Sequence, residues 1–408
     1  MQRMSPAARL PAALAALALV AALTGCGKSN SRSSASAGGG PSRRLAPLTP
    51  QGAVTVTTRN TTRLGGTDPV IDAASIARVV YPGLTKASRP QAVVLVDVRN
   101  WSAALAASSL SSAPLNAPIL YSNGKELPEV TKDTLEALHP TGAKAFGGAQ
   151  VIKVGATAAV PRGYRVDSVP AGEPSVTAEG VEQVLASAGG KPPTQVIVVS
   201  ATAPSAELMP AAGLAAESAV PILYVSRSRV PDPTAAVLVA LGHPSIYVVD
   251  PSGVSPLTMH ELAHYGTVTS IVPTLGEQAD PVTNSLAVAR FTDGSFGWGI
   301  KEPGHGLVFA NQARPLDAPP AAILSATGDY GPLLLLESAY SLPEPLTKYL
   351  KDIEPAYSAT VRPVRAVYNH GWLIGDERAI SAVTQAELDS LLEISQEAPE
   401  EQSNSPVE

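Results

Sequence analysis

The sequence predicts an α/β protein built from three tandem, domain-sized units, each a parallel sheet layered with helices. Three observations carry that reading. Continuous apolar runs recur at Val93-Val94-Leu95-Val96, Val196-Ile197-Val198-Val199 and Leu307-Val308-Phe309-Ala310. They lack the alternation of a half-exposed strand and so read as strands buried on both faces. A proline opens a second run about 25 positions later in every copy: Pro118-Ile119-Leu120-Tyr121, Pro221-Ile222-Leu223-Tyr224 and Pro332-Leu333-Leu334-Leu335. Between the two runs lies a small-residue helix pattern, at 102–112, 203–218 and 317–327. Strand, helix and strand in that order imply right-handed crossovers and a parallel sheet.

The remaining elements of each copy follow in order. Leu127-Pro128, Val230-Pro231 and Leu342-Pro343 sit just past the second strand, each opening a helix such as 129–138. A further strand closes the copy: 143–146 before Gly147-Gly148, 246–249 before Asp250, and Trp372-Leu373-Ile374 before Gly375-Asp376. The third copy carries about fourteen extra residues ahead of that strand, around 355–370. At about 105 residues, each copy is large enough for a core of its own, unlike a solenoid repeat. The divisions expected are 54–160, 161–270 with a degenerate opening, and 271–395.

The N-terminus has a different character. Arg3 and Arg9 precede an apolar stretch over 10–23, which ends in Leu23-Thr24-Gly25-Cys26. A basic start, a short greasy middle and small residues at the end make an export signal over 1–25, too short to stay as a spanning helix. Leucine, two small residues and cysteine resemble the lipobox of bacterial lipoproteins, which implies diacylglycerol on the Cys26 thiol. Cys26 is the only cysteine of the 408 residues, so the sequence offers no disulfide, thiolate metal site or second thiol within the chain. Residues 26–50 are mostly Ser, Gly and Ala with scattered Lys and Arg, and read as a flexible tether; 396–408 reads as an acidic disordered tail.

Composition bounds the partners. The chain is 45% hydrophobic and only 16% charged, with a net charge of -6, which argues against a nucleic-acid partner. No later run approaches the length of a membrane span. Abundant alanine, valine and the 38 prolines suggest small-residue cores joined by short rigid connections.

Several strings resemble the cell wall-binding repeat family, type 2. They are Thr62-Arg63-Leu64-Gly65-Gly66-Thr67-Asp68, Asn100-Trp101-Ser102-Ala103-Ala104-Leu105-Ala106, Asn116-Ala117-Pro118-Ile119-Leu120 and Ala145-Phe146-Gly147-Gly148. In the third copy they are Asp317-Ala318, Tyr330-Gly331-Pro332-Leu333-Leu334 and Gly371-Trp372-Leu373-Ile374-Gly375-Asp376. The resemblance covers roughly residues 54 to 395 and matches the count of three copies. It implies Toprim-like units about a pseudo-threefold axis that bind anionic cell-wall glycopolymers without covalent chemistry. The sequence departs from the family where Pro69-Val70-Ile71-Asp72 follow the first of these strings, and where Ala103 stands in place of an aspartate.

Few motifs point to chemistry. His260-Glu261-Leu262-Ala263-His264 matches the zinc-protease spacing HExxH, which on a helix puts both imidazoles on one face. It also reads as the closing helix of copy two, the counterpart of 385–392, which holds no ligand residues. No nucleophile elbow, Walker loop or Rossmann fingerprint occurs. The glycine-dense 294–306 around Trp298 reads as a surface loop, and Asp317 as a helix N-cap. The chain is therefore expected to be non-enzymatic and without cofactor.

One charge pattern suggests a site. Ligands of parallel α/β sheets sit beyond the carboxyl ends of the strands. Arg99 and Arg314 lie just past the first strand of copies one and three; Lys125, Arg227 and Arg229 lie just past the proline strands of copies one and two. Such a cationic edge suits the phosphates or carboxylates of a wall polymer. Glu337 breaks the pattern in copy three. The expected protein is lipid-anchored at the outer face of the cytoplasmic membrane and adheres to the wall. Two alternatives share parts of this sequence: a transporter's two-lobed substrate-binding lipoprotein, and a zinc hydrolase using His260 and His264.

Overall fold

A computed structural model describes residues 50–326, 331–357 and 368–396. The expected signal peptide, Cys26, the tether up to residue 49, residues 358–367 of the third copy's insertion and the tail from 397 lie outside the described residues.

The described chain opens with a hairpin of β1 (Val54–Thr57) and β2 (Thr61–Gly65), followed by α1 (Pro69–Val80). The first repeat continues through β3 (Val93–Asp97), α2 (Trp101–Ala107), β4 (Ile119–Ser122), α3 (Glu129–Leu138), β5 (Val151–Val154) and β6 (Val166–Val169). Next come α4 (Pro174–Gly189), β7 (Gln195–Ser200), α5 (Ser205–Leu208), α6 (Pro210–Ser218) and β8 (Ile222–Val225). They are followed by α7 (Asp232–Leu241), β9 (Ser245–Val249), α8 (Pro256–Leu262) and β10 (Thr267–Ile271). The last stretch holds α9 (Pro281–Arg290), β11 (Gly306–Asn311), α10 (Ala318–Ala326), β12 (Leu333–Leu336) and α11 (Glu344–Asp352). It ends with β13 (Ala356–Tyr357), β14 (His370–Ile374), α12 (Ala382–Leu391) and β15 (Ser395–Gln396). No described helix is long and apolar enough to cross a membrane.

Apart from a short parallel pair, β13-β15, the described strands assemble into three sheets of one plan. Their orders are β4-β3-β5-β6, β8-β7-β9-β10 and β12-β11-β14-β2, all parallel, with β1 added antiparallel beyond β2. In each, the first apolar run takes an inner place and is buried along its length, as a sheet covered on both faces requires. The helices after the inner strands, α2 with the 3-10 turn Ser108–Ser111, α6 and α10, pack against one another where the three sheets meet. Their small residues (Ala103 to Ala107, Ala211 to Ala216, Ala318 to Ala322) permit that close approach.

Helix starts follow their capping chemistry. Asp68 accepts from the backbone N–H groups of Val70 and Ile71 with Pro69 at the first turn of α1. Asp280 and Thr283 form a capping box at α9, again beside a proline. These two helices and α4 each carry the chain from the fourth strand of one sheet to the next, packing on β4, β12 and β8.

The sheets do not follow the repeat boundaries. Strand β6, past residue 160, completes the first sheet, and β10, at the end of the second division, completes the second. The third sheet takes its fourth strand from the start of the chain: Gly371 pairs with Thr61, Trp372 with Thr62, Leu373 with Arg63 and Ile374 with Leu64. Sequence spacing fixes the period of a repeat but not which neighbour its first strand joins. Residues 143–146 are not a strand either. Lys144–Phe146 is a 3-10 turn ending at Gly147 in the left-handed region, φ 59°, and the strand is β5, rich in β-branched residues. Nor is 294–306 a simple surface loop, because Phe296 is buried and stacks on Tyr247 at 3.8 Å between ring centres.

Tyrosines bind neighbouring sheets. Tyr121 of β4 donates to the Leu316 carbonyl at 2.8 Å, and Tyr224 of β8 to the Ser102 carbonyl at 2.9 Å. Ser102 and Leu316 hold equivalent places, each just past the inner strand of its sheet. In the third copy the tyrosine position is Leu335, which cannot donate.

Candidate functional site

The cations expected at the strand ends fall into two groups. Arg99 and Lys125 come together. Arg99 reaches back to the Asp97 carboxylate at the end of β3, with Nε at 3.0 Å and Nη2 at 2.7 Å. These bonds hold the Asp97 carboxyl down at about 2, with burial acting against them. The neighbouring turn, 123–126, closes on itself: Asn123 and Glu126 exchange backbone hydrogen bonds at 3.0 Å. Gly124 within it has φ +61°, and a Cβ there would lie 2.5 Å from the Arg99 guanidinium. Glycine is therefore what lets Arg99 lie across the turn whose next residue is the exposed Lys125.

Arg227 and Arg229 occupy the matching loop beyond β8, and both are exposed. Ser226 fixes this turn, accepting from the Arg229 N–H at 3.0 Å through its hydroxyl. The first turn of α8 pins it from the other side, where Ser255 N–H and the Thr258 hydroxyl both donate to the Arg227 carbonyl at 3.0 Å. The backbone is held while the side chains project. Lys125, Arg227 and Arg229 make no ion pair with any described residue. The matching loop of the third sheet, 337–341, instead exposes Glu337 and Tyr340, so the cationic edge runs along two sheets of three.

Arg314 is not part of that edge. Its guanidinium turns inward to Asp317, at 2.7 Å, and to Asp72 of α1, both fully buried. Burial, and then the Asp317 charge, push the Asp72 carboxyl up to about 9 against the pull of Arg314; Asp317 is raised too, chiefly by burial. Asp317, expected as a helix cap, is thus a buried ion-pair partner. Arg63 of β2 is likewise interior, donating to Gln385 and to the carbonyls of Gly375, Asp376 and Ile380.

Beside the Arg99 turn opens a cavity of about 310 Å³ whose walls include Asp68, Val98, Asn123, Glu129, Val130 and Asp133. Three carboxylates among these residues repel an anion, so an anionic chain would lie along the turns and not enter the cavity.

The HExxH motif spans the C-terminal end of α8. His260 and His264 are exposed with ring centres 4.9 Å apart, and Glu261 accepts from the Val230 N–H at 3.0 Å. Among the described residues, no three His, Cys, Asp or Glu side chains stand together as metal ligands.

No protein-family model matches the chain, and no curated protein matches it. Solved structures do. The fold is similar to that of Cwp6 from Clostridium difficile, with TM-score 0.61 and 17% identity over 83% of this chain and 51% of that one. It is similar also to Cwp8 from Clostridium difficile, with TM-score 0.61 and 16% identity over 82% of this chain and 52% of that one. The chain spans about half the length of each, and the likeness is one of fold.

Proposed function

We propose that this chain is an extracytoplasmic protein that adheres non-covalently to anionic polymers of the cell wall while lipid on Cys26 holds it to the membrane. One observation carries the adhesive part: two pinned turns, at the carboxyl ends of two equivalent sheets, present Lys125, Arg227 and Arg229 to solvent without ion-pair partners among the described residues. Arg99 adds a guanidinium whose charge Asp97 partly offsets. Polyanions are gripped well by such spaced, solvated cations, because many weak contacts along one chain add up. The two similar structures are cell wall proteins, which supports the location. Three sheets around three central helices also fit poorly with a two-lobed solute receptor.

The test is sedimentation of residues 46–408 with purified walls, before and after their anionic polymers are removed. Adhesion requires co-sedimentation with the first and loss of it with the second. Equal binding to both would exclude the anionic polymer as the partner. The anchor is tested apart from this. Cys26→Ser should abolish partitioning into a detergent phase, and a serine variant that partitions like the parent would remove the lipid from the account.

A further inference from the structure

The three sheets share a polar junction, and in the second its carboxylates lack a cation. In each, the residue three positions past the inner strand sits over the residue that follows the third strand. In the third sheet these are Arg314 and Gly375, and a Cβ on Gly375 would lie 3.4 Å from the guanidinium carbon. In the first they are Asn100 and Gly155, where the Asn100 amide is 3.4 Å from the same point. The fourth position of the adjoining helix contributes in two of them: Asp72 of α1 meets Arg314, and Asn284 of α9 meets Glu207. The first junction is neutral. The third holds two carboxylates and one guanidinium.

The second junction holds two carboxylates and no cation. Asp250 stands where the others have glycine, in the left-handed region at φ 50°. It is only 3% exposed, and Oδ2 has no hydrogen-bond partner, Ser252 donating to Oδ1 alone. Glu207, half-buried and held by the Asn284 amide at 2.5 Å, lies within reach of the Asp250 charge. Burial first, and then the charge of Asp250, push the Glu207 carboxyl above its usual range. The residue equivalent to Arg314 is Ala203. Its Cβ and Asp250 Oδ2 lie 3.2 and 3.3 Å from one point, the place where a Cβ on Gly253 would be. An orphaned, buried carboxylate oxygen beside a second carboxylate is costly unless a counter-charge joins it.

We propose that this junction, at the carboxyl ends of β7 and β9, binds one hard cation of the calcium type between Asp250 and Glu207, where Arg314 serves in the third sheet. Asp250 Oδ2 and a Glu207 oxygen supply the charge. The hydroxyls of Ser200 and Thr202, themselves hydrogen-bonded to each other at 3.2 Å, are neighbouring neutral donors. Oxygen ligands alone favour calcium or magnesium over zinc or copper. Two carboxylates and an open side at Glu207 fit the weak class of extracellular calcium sites, on the order of 0.1–1 mM. The site does not depend on wall adhesion, and a chain that ignores walls would still take the cation.

The experiment uses the full chain in detergent, with its thermal midpoint followed in chelator and across a calcium chloride titration at matched ionic strength. Equilibrium dialysis with radioactive calcium counts the ions bound. The parent should take up one calcium and gain roughly 1–3 °C at about tenfold over half-saturation. Asp250→Gly should fold, since Gly155 and Gly375 already occupy the equivalent positions at φ 63° and 94°, and should lose both responses. Ala203→Arg should place a guanidinium in the junction, matching the calcium-loaded parent in chelator and ignoring added calcium. A parent that binds no calcium, or an Asp250→Gly chain that binds it as the parent does, would overturn the proposal. Should Ala203→Arg fail to fold, Asp250→Gly decides alone.

Discussion

Arg314 and Asp72 are 242 residues apart in sequence and joined by a hydrogen bond from the guanidinium to the buried carboxyl, which locks the first helix of the described chain to the third sheet. The guanidinium also holds Asp317 at 2.7 Å, so two buried carboxyls share one cation. This pair sits where the N-terminal strand β2 enters the third sheet beside β14. The last sheet is therefore completed, and then electrostatically fastened, by the beginning of the fold.

The first prediction concerns this lock. Arg314→Met leaves Asp72 and Asp317 buried without their cation and should cost about 3–5 kcal/mol in chemical denaturation. The pH dependence has a definite sign. Asp72 is raised to about 9, so the folded chain keeps a proton that the unfolded chain releases above about pH 4. The stability this contributes is full below about pH 4 and is lost as the pH rises through about 9. Denaturation midpoints should thus fall across that window more steeply in the parent than in Asp72→Asn. Parallel curves for the two would remove Asp72 as the titrating group.

The second prediction follows from the borrowed strand. Leu64, fully buried in β2, should cost about 2–5 kcal/mol when replaced by alanine. A proline at the same place should break the ladder with β14. Hydrogen exchange distinguishes this arrangement from one in which each copy closes its own sheet. With β2 disabled, protection should fall in β11, β12 and β14 while β7, β8 and β9 keep theirs. Loss confined to β3, β4 and β5 would mean that β2 supports the first sheet instead.

The third prediction tests the junction tyrosines. Tyr121→Phe and Tyr224→Phe each strand a carbonyl, that of Leu316 or Ser102, and should each cost about 1–3 kcal/mol. Because the two bonds lie at different junctions, their costs should add to within about 0.5 kcal/mol. Denaturation of both single variants and the double variant measures this; strong non-additivity would mean that the junctions act as one unit.

The sequence made some of this legible and concealed the rest for identifiable reasons. The inner strands and the proline strands were readable because strands buried on both faces have no polar alternation. The partner of β2 was not, because nothing in Thr61-Thr62-Arg63-Leu64-Gly65 distinguishes an entry into its own unit's sheet from an entry into the last. Arg314 resembled Arg99 in its offset from an inner strand, yet their neighbours differ. Arg99 folds back on Asp97 at the surface, whereas Arg314 has an acid three residues on and another far off in α1. The acid at 317, beside an Ala-rich helix that had to be buried, was the available signal. The Asp250 junction left no mark in composition, because its meaning lies in an arginine missing from position 203.

The last prediction concerns how the polymer is held. If the turns at Arg99, Lys125, Arg227 and Arg229 are the site, each contact is solvent-exposed and worth at most about 1 kcal/mol. Screening over about 8–10 Å at physiological salt should make wall sedimentation fall steeply as salt is added. Arg99→Glu, Lys125→Glu and Arg227→Glu combined should weaken it by about ten- to hundredfold. Circular dichroism should stay unchanged, since all three side chains lie outside the cores. Arg314→Glu supplies the contrast: it should fail by unfolding, because its carboxylate would meet two buried acids. Unchanged sedimentation of a folded triple variant would place adhesion away from these turns. Binding indifferent to salt would point to sugar stacking or apolar contact in place of charge.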